Sequence, residues 1–227
     1  MENMYFTLCE DFENMAQEHY RVYCEAKQEY DQSIHSNVSS SNILPAKKML
    51  WAACSAVVFE AIAIEAYVNL LGAYLIPNRY YIDYEGNEPI IKDRSTLGKL
   101  KELCKREIGK CYPTSDHTYE VMNNLILKRD RIVHTKPFPH TFEMKPFNYT
   151  DIESNYSDYT SAFSKEIGFL YEGLEEQMKS YSILVQNINT LLGKDMLQDI
   201  RTAPLNNIES MFRDMIKNSL NQNPPEA

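Results

Sequence analysis

Arg129 and His134, five residues apart in the sequence, are the pair of side chains whose types and spacing best suit a chemical reaction. Histidine gains and loses a proton near neutral pH, so it can act as a general acid or base. The guanidinium of an arginine donates two parallel hydrogen bonds to a phosphoryl group and stabilises negative charge that develops there. Together the two residues suit proton transfer and charge stabilisation at a phosphate.

Both residues fall late in a predicted helix that has an N-cap at Ser115 and must end before Pro137. Five residues rotate an ideal helix by about 500°, so the two side chains would point about 140° apart. One regular helix therefore cannot bring both to the same phosphate. Either the helix is distorted at its end, or a second subunit supplies the missing partner. Asp130 lies four residues before His134 on the same helix face and can orient the imidazole.

The other motifs of common enzyme classes are missing. The sequence contains no glycine-rich phosphate loop, no Gly-x-Ser-x-Gly elbow and no His-Glu-x-x-His motif. Its five cysteines, at positions 9, 24, 54, 104 and 111, form no Cys-x-x-Cys pair. We therefore predict reduced thiols, with neither a disulfide framework nor a metal site.

Charge is unevenly distributed along the chain. The net charge is −9, with 23 Lys and Arg against 32 Asp and Glu, which disfavours a protein that binds nucleic acid with its whole surface. Residues 92–136 nevertheless carry eleven basic and six acidic side chains, a local charge of +5 that includes Arg129. Any RNA contact is therefore expected in this segment, and it should be local and weak.

Apolar residues recur at helical spacing along most of the chain, and no strand pattern rivals them. The sequence therefore predicts an all-α fold, a mostly up-and-down helical bundle. We assign residues 1–32 to a long amphipathic helix packed on the bundle, 45–192 to the bundle, 193–220 to a C-terminal helical extension and 221–227 to a frayed tail. Within the bundle, helices are predicted from Pro45 to Ile76, from Ser95 to about Gly109, from Ser115 to before Pro137, and over about 156–192 with a bend near Gly168 or Gly173.

The helix that starts at Pro45 is apolar on nearly all sides, which predicts that it lies at the centre of the fold. Glu60 and Glu65 interrupt it, and a charged residue costs about 2.5 to 3.5 kcal/mol at the centre of a bilayer. We therefore expect this helix to be buried in protein, with both glutamates paired and a motif arginine as one partner, and no membrane span. The first residues contain no basic stretch followed by an apolar one, so we predict a cytoplasmic protein.

The Arg129–His134 motif resembles the Arg-x4-His pattern of HEPN domains, which are small helical bundles. Asp130 is compatible with that pattern, in which a polar residue follows the arginine. An apolar helix with an acidic and asparagine-marked stretch often precedes the motif in that family, and Phe59-Glu60-Ala61 and Glu65-Ala66-Tyr67-Val68-Asn69 are similar to it. The resemblance covers roughly Pro45–Leu192.

This resemblance implies a metal-independent endoribonuclease of a toxin or phage-defence type, active as a homodimer whose two motifs share a cleft. It needs no cofactor, and its partners would be RNA and, for a toxin, a nucleotidyltransferase-like antitoxin. The resemblance implies that Arg129 stabilises the scissile phosphate, that His134 transfers protons and that Asp130 orients His134. The candidates for RNA binding are the basic residues Lys105, Arg106, Lys128, Arg131 and Lys136.

An alternative interpretation is a non-catalytic helical module, HEPN-like or unrelated, that binds a partner protein or a nucleotide. In that case His134 would hydrogen-bond the last carbonyls of its helix. Arg129 and Arg131 would form ion pairs with neighbouring carboxylates.

Overall fold

The computed structural model describes residues 2–35, 43–76, 91, 95–114, 117–134 and 168–202. These residues are mostly helical and include no strand, which confirms the all-α prediction for this part of the chain. The predicted N-cap Ser115, the candidate Lys136 and the tail 221–227 lie outside it. The helices are α1 (Glu2–His35), α2 (Ile43–Leu75), α3 (Thr96–Leu103), α4 (His117–Val133), α5 (Leu174–Gln177), α6 (Ser180–Leu192) and α7 (Met196–Thr202).

The most extensive helix interface joins α1 to α2. Cys9, Ala16 and Tyr23 are seven residues apart on α1 and all three are buried, so they form one stripe along the helix. Small side chains in that stripe allow the backbones to approach closely. The Phe59 ring of α2 stacks on Phe12 of α1 at 6.2 Å between ring centroids, and Lys48 pairs with Glu29 at 3.3 Å. A residue early in α1 thus contacts one late in α2, and a residue late in α1 contacts one early in α2, so the two helices run antiparallel.

α2 lies at the centre of this arrangement, since it contacts α1, α3, α4 and α5. Its buried residues lie on every side of the helix: Ala52, Ala53, Ala56, Val57, Glu60, Ala61, Ala63, Ile64, Tyr67, Val68, Leu70 and Leu71. Over Leu44–Leu75 it is also long and apolar enough to cross a bilayer by length and composition alone. A helix buried among other helices has the same length and composition, and the contacts of α2 are of that kind.

A fully buried carboxyl, Glu60, connects α2 to two other helices. Its Oε1 accepts a hydrogen bond of 2.9 Å from the backbone N–H of Tyr181, and its side chain also hydrogen-bonds Glu13 of α1. Burial, reinforced by the Glu13 contact, raises the pKa of Glu60 to about 10. Glu60 is therefore protonated at neutral pH.

We expect Glu60→Gln to remove a pH-dependent loss of stability. The pKa of Glu60 in the folded chain lies above its ordinary value of 4.5, so its stabilising contribution is complete below that value and is lost as pH rises towards about 10. Glutamine keeps the acceptor for Tyr181 and a donor for Glu13 and cannot ionise. Between pH 5 and pH 9 the free energy of unfolding of the variant should increase relative to that of wild type by more than about 1 kcal/mol, because a pKa shift of one unit corresponds to about 1.4 kcal/mol. Urea unfolding at the two pH values measures this difference. The exposed control Glu107→Gln should follow wild type, and parallel pH curves for Glu60→Gln would contradict the assignment.

The two ends of α3 agree with the local sequence signals. The Ser95 side chain accepts a hydrogen bond of 3.1 Å from the N–H of Gly98, so it caps the helix as predicted. After Leu103 the chain makes one π-helical turn, Cys104–Ile108, which ends at Gly109 with a φ of 72°. That left-handed conformation favours glycine.

The long helix predicted over 156–192 is interrupted in its described part. Helical turns at 168–171 end before Gly173, whose φ of 65° breaks the helix, and α5 and α6 follow. Gly173 is one of the two glycines at which we predict a bend. At Gly173 the helix is broken and not merely bent, because a left-handed residue cannot continue an α-helix.

By contact density the chain divides into two units, residues 1–185 and 186–227. In the second unit the Oδ1 of Asn189 accepts a hydrogen bond of 3.1 Å from the N–H of Met196, the first residue of α7. Lys194 pairs with Asp199 at 2.6 Å. These contacts fix the start of the C-terminal extension predicted from residue 193.

Candidate functional site

α4 places Arg129 and His134 on different sides of one regular helix. The N–H of His134 donates to the carbonyl of Asp130 at 2.9 Å, so the helical hydrogen-bond pattern continues through the histidine. The helix is not distorted at its end. Of the two explanations that the motif spacing leaves open, the structure therefore shows no sign of the first, a distorted helix end, in the described residues of α4.

Arg129 faces α2 and is held by two carboxylates. Its Nη2 lies 3.2 Å from Glu65 Oε2 and its Nη1 lies 3.3 Å from Asp130 Oδ1. Only 20% of the arginine side chain is exposed, against 41% for Glu65 and 47% for Asp130. The buried Nε has no hydrogen-bond partner. The guanidinium is therefore held between two carboxylates that balance its charge.

The pairing of Glu65 with Arg129 confirms that a motif arginine is the partner of one α2 glutamate. Glu65 is partly exposed, whereas the buried Glu60 pairs with Glu13 instead. The Asp130 carboxylate contacts Arg129, and its link to His134 is the backbone hydrogen bond of the helix. The orienting role of Asp130 stays a prediction.

His134 is exposed at the C-terminal end of α4. Arg131, three residues earlier and about 60° away around the helix, lies on the neighbouring part of the same face. Leu127 and Val133, also near this end, expose 57% and 52% of their surfaces. The end of α4 thus presents a histidine, an arginine and apolar surface to solvent.

The structure separates the four RNA-binding candidates that it describes into two groups. Lys128 and Arg131 lie on the outer face of α4, whereas Lys105 and Arg106 lie on the π-helical turn, where Arg106 pairs with Glu102 at 3.1 Å. Lys101, one turn before Lys105, lies over the ring of Tyr119 in the first turn of α4. Tyr119 is fifteen residues before His134, about 22 Å along the helix axis. Lys105 and Arg106 therefore belong to the far end of α4.

A groove of about 430 Å³ runs between the outer face of α4 and residues 169–177, and we call it the α4 groove. The guanidinium carbon of Arg131 lies 4.1 Å from the centroid of the Phe169 ring, in a cation–π contact. At the other end of the groove, His117 Nε2 lies 2.7 Å from Glu176 Oε1, and both side chains are exposed.

The middle of the α4 groove contains Lys128, whose Nζ donates to the backbone carbonyl of Glu172 and, at 3.0 Å, to Gln177 Oε1. Burial lowers the pKa of Lys128, and the nearby charge of Glu172 opposes that shift only in part. The half-buried ammonium thus has neutral oxygens as its hydrogen-bond acceptors. Lys128 and Arg131 are predicted from the sequence, whereas Phe169 is not. Phe169 is 38 residues from its partner Arg131, and no local pattern connects the two.

Among the described residues, no group of three or more His, Cys, Asp or Glu side chains could hold a metal ion. Comparisons with protein-family models, with curated proteins and with solved structures find no match to this chain. The assignment of function therefore depends on the geometry of α4 and its neighbours.

Proposed function

We propose that this protein is a HEPN-like, metal-independent endoribonuclease that cuts RNA at a composite site of a homodimer. The observation that carries the proposal is the regular course of α4 through His134, which leaves the histidine exposed while Glu65 holds Arg129 on the other side of the helix. Both side chains belong to the basic segment of an otherwise acidic chain.

The proposed reaction is attack of a ribose 2′-OH on the adjacent phosphodiester. His134 accepts the 2′ proton as the 2′ oxygen attacks and then delivers a proton to the leaving 5′ oxygen, since imidazole can do both near neutral pH. Arg129 exchanges one carboxylate for a phosphoryl oxygen and stabilises the charge that develops in the transition state. The P–O bond to the 2′ oxygen forms, the bond to the 5′ oxygen breaks, and the products end in a 2′,3′-cyclic phosphate and a 5′-OH.

The helix geometry supports the proposed homodimer. Because Arg129 and His134 point about 140° apart on one helix, a single subunit cannot place both on one phosphate. A two-fold axis near the ends of the two α4 helices would bring the arginine of one protomer to the histidine of its partner. The exposed Val133 is apolar surface for such a contact.

Toxin or phage-defence activity in the cytoplasm is the biological role that we attach to this chemistry, with a nucleotidyltransferase-like antitoxin as the partner of a toxin. The second candidate function is a non-catalytic helical module. The observation that favours it is the double ion pair of Arg129, because a guanidinium balanced by Glu65 and Asp130 is also what a purely structural arginine would show.

Cleavage of RNA by the wild-type protein separates the two candidates, and Glu65→Gln then tests the role assigned to Arg129. If Arg129 acts on the phosphate, the variant loses one competing carboxylate and should retain cleavage within about fivefold of wild type, since ion pairs of this exposure are worth about 1 kcal/mol or less. Chemical unfolding should show a loss of stability of the same small size. Wild-type protein inactive on varied RNA would favour the non-catalytic module. A loss of cleavage in Glu65→Gln as large as that in Arg129→Ala would contradict the assigned role of Arg129.

A further inference from the structure

The α4 groove combines features that suit a flat ring with an anion close to it. The guanidinium carbon of Arg131 lies over the Phe169 ring, 4.1 Å from its centroid, so the two groups form one partly cationic surface, which we call the Arg131–Phe169 platform. Aromatic rings and guanidinium planes are the surfaces on which proteins stack unpaired bases. Leu127, on the same face of α4 and 57% exposed, extends this platform with apolar surface.

Lys128 provides the anion site next to this platform. It precedes Arg131 by three residues, so the two are about 4.5 Å apart along the helix axis and 60° apart around it. An ammonium has three N–H donors, and Glu172 O and Gln177 Oε1 accept two of them. The remaining donor and an incompletely balanced charge favour an anionic oxygen in the groove.

The acidic side chains of the groove limit the negative charge of a ligand that can bind there. Glu120, Glu172 and Glu176 line it and are exposed, and Glu176 is paired with His117. Their carboxylates repel a second phosphate but accept hydrogen bonds from sugar hydroxyls and from the amino groups of bases. The groove therefore suits a single phosphate attached to a ring system with donor groups.

We propose that the α4 groove is a nucleotide-binding site, in which a base stacks on the Arg131–Phe169 platform and its phosphate binds Lys128. The same chemistry is presented by a free mononucleotide and by one unit of an RNA strand. The groove lies on the face of α4 next to His134, so a strand bound there would pass the proposed catalytic histidine. This extension to a strand rests on the proposed ribonuclease function, whereas binding of one nucleotide does not.

Binding is tested with two probes that the protein cannot cleave. AMP, GMP, CMP and UMP are titrated by calorimetry, and a fluorescein-labelled 2′-O-methyl decaribonucleotide is followed by anisotropy. Phe169→Leu should weaken binding by about fivefold to a hundredfold, because stacking contributes about 1 to 3 kcal/mol per base. Phe169→Tyr keeps the ring and should bind like wild type. Lys128→Met should weaken binding and reduce the slope of log affinity against log salt by about one.

Lys48→Met is the matched control, since it removes the same charge at an exposed position on α2 and should bind like wild type. Circular dichroism checks folding, and Lys128→Met carries the test if Phe169→Leu does not fold. Binding of the decamer without the mononucleotides identifies a strand, and binding of a mononucleotide identifies a free ligand. Absence of binding by both probes, or unchanged affinity in Phe169→Leu and Lys128→Met, would overturn the proposal.

The proposed ribonuclease function and the proposed nucleotide site can be refuted separately. Binding of AMP or another mononucleotide in the groove does not require cleavage, because His134 does not line the α4 groove. Groove-dependent binding by a wild-type protein that cuts no RNA would refute the proposed function and leave the nucleotide site in place. Normal cleavage with unaltered binding in the groove variants would refute only the nucleotide site.

Discussion

His134→Ala is expected to lower the rate of RNA cleavage by about 10²- to 10⁴-fold, the contribution of one general acid or base. Arg129→Ala should lower it by about 10²- to 10³-fold, as does removal of one donor to a developing oxyanion. The substitutions remove a proton carrier and a charge stabiliser, so the rate constant should fall more than the affinity for RNA. Single-turnover cleavage of a labelled single-stranded RNA measures both quantities.

The control for these substitutions is Arg21→Ala. Arg21 is an exposed arginine of α1 that pairs with Glu18 and Glu25, so its loss changes the net charge as Arg129→Ala does. It should cleave RNA like wild type. His134 is exposed, and the carboxylates left by Arg129→Ala are partly exposed and can be hydrated, so both variants should fold. Cleavage by both variants at the wild-type rate would show that another protein or another site is responsible.

Mixing the two inactive variants should restore activity, which is the second large effect. Arg129→Ala still supplies His134, and His134→Ala still supplies Arg129. Random exchange of subunits places about half of the molecules in mixed dimers, and each mixed dimer has one complete site of two. Activity should therefore rise to about one quarter of that of wild type at equal total protein.

This recovery requires each site to take its arginine from one protomer and its histidine from the other. Co-expression with two different affinity tags yields mixed dimers directly, and these should reach about half of wild-type activity. Parent homodimers purified in the same way are the control. A mixture as inactive as its parents, with subunit exchange verified by the two tags, would contradict the composite site and return both residues to one subunit.

Local signals made several elements predictable. The helical periodicity of α1, the all-round apolar surface of α2, and the Ser95 and Gly109 signals around α3 each depend on residues within a few turns of one another. Helical periodicity, however, continues through Gly173, so it gives no sign that the left-handed residue there ends the helix and separates α5 and α6 from the preceding turns.

The pairing of side chains was less predictable than their burial. That Glu60 and Glu65 need partners follows from their place on an apolar helix. Glu60 pairs with Glu13 and with a backbone N–H, whereas Glu65 pairs with Arg129. These contacts join residues that are 47 to 121 positions apart in the sequence. The Arg131–Phe169 platform depends in the same way on a packing contact across 38 residues. A single sequence carries no local pattern for such contacts.

The most direct test of the proposed function is the chemistry of the RNA ends that purified wild-type protein produces in EDTA. The substrate is a single-stranded oligonucleotide, paired with a copy that carries 2′-O-methyl groups throughout, and mass spectrometry identifies the products. We predict fragments with a 2′,3′-cyclic phosphate and a 5′-OH, none from the methylated copy, and none from His134→Ala purified in parallel. Fragments with a 5′-phosphate, cleavage only with added metal, or no cleavage would contradict a ribonuclease that uses Arg129 and His134.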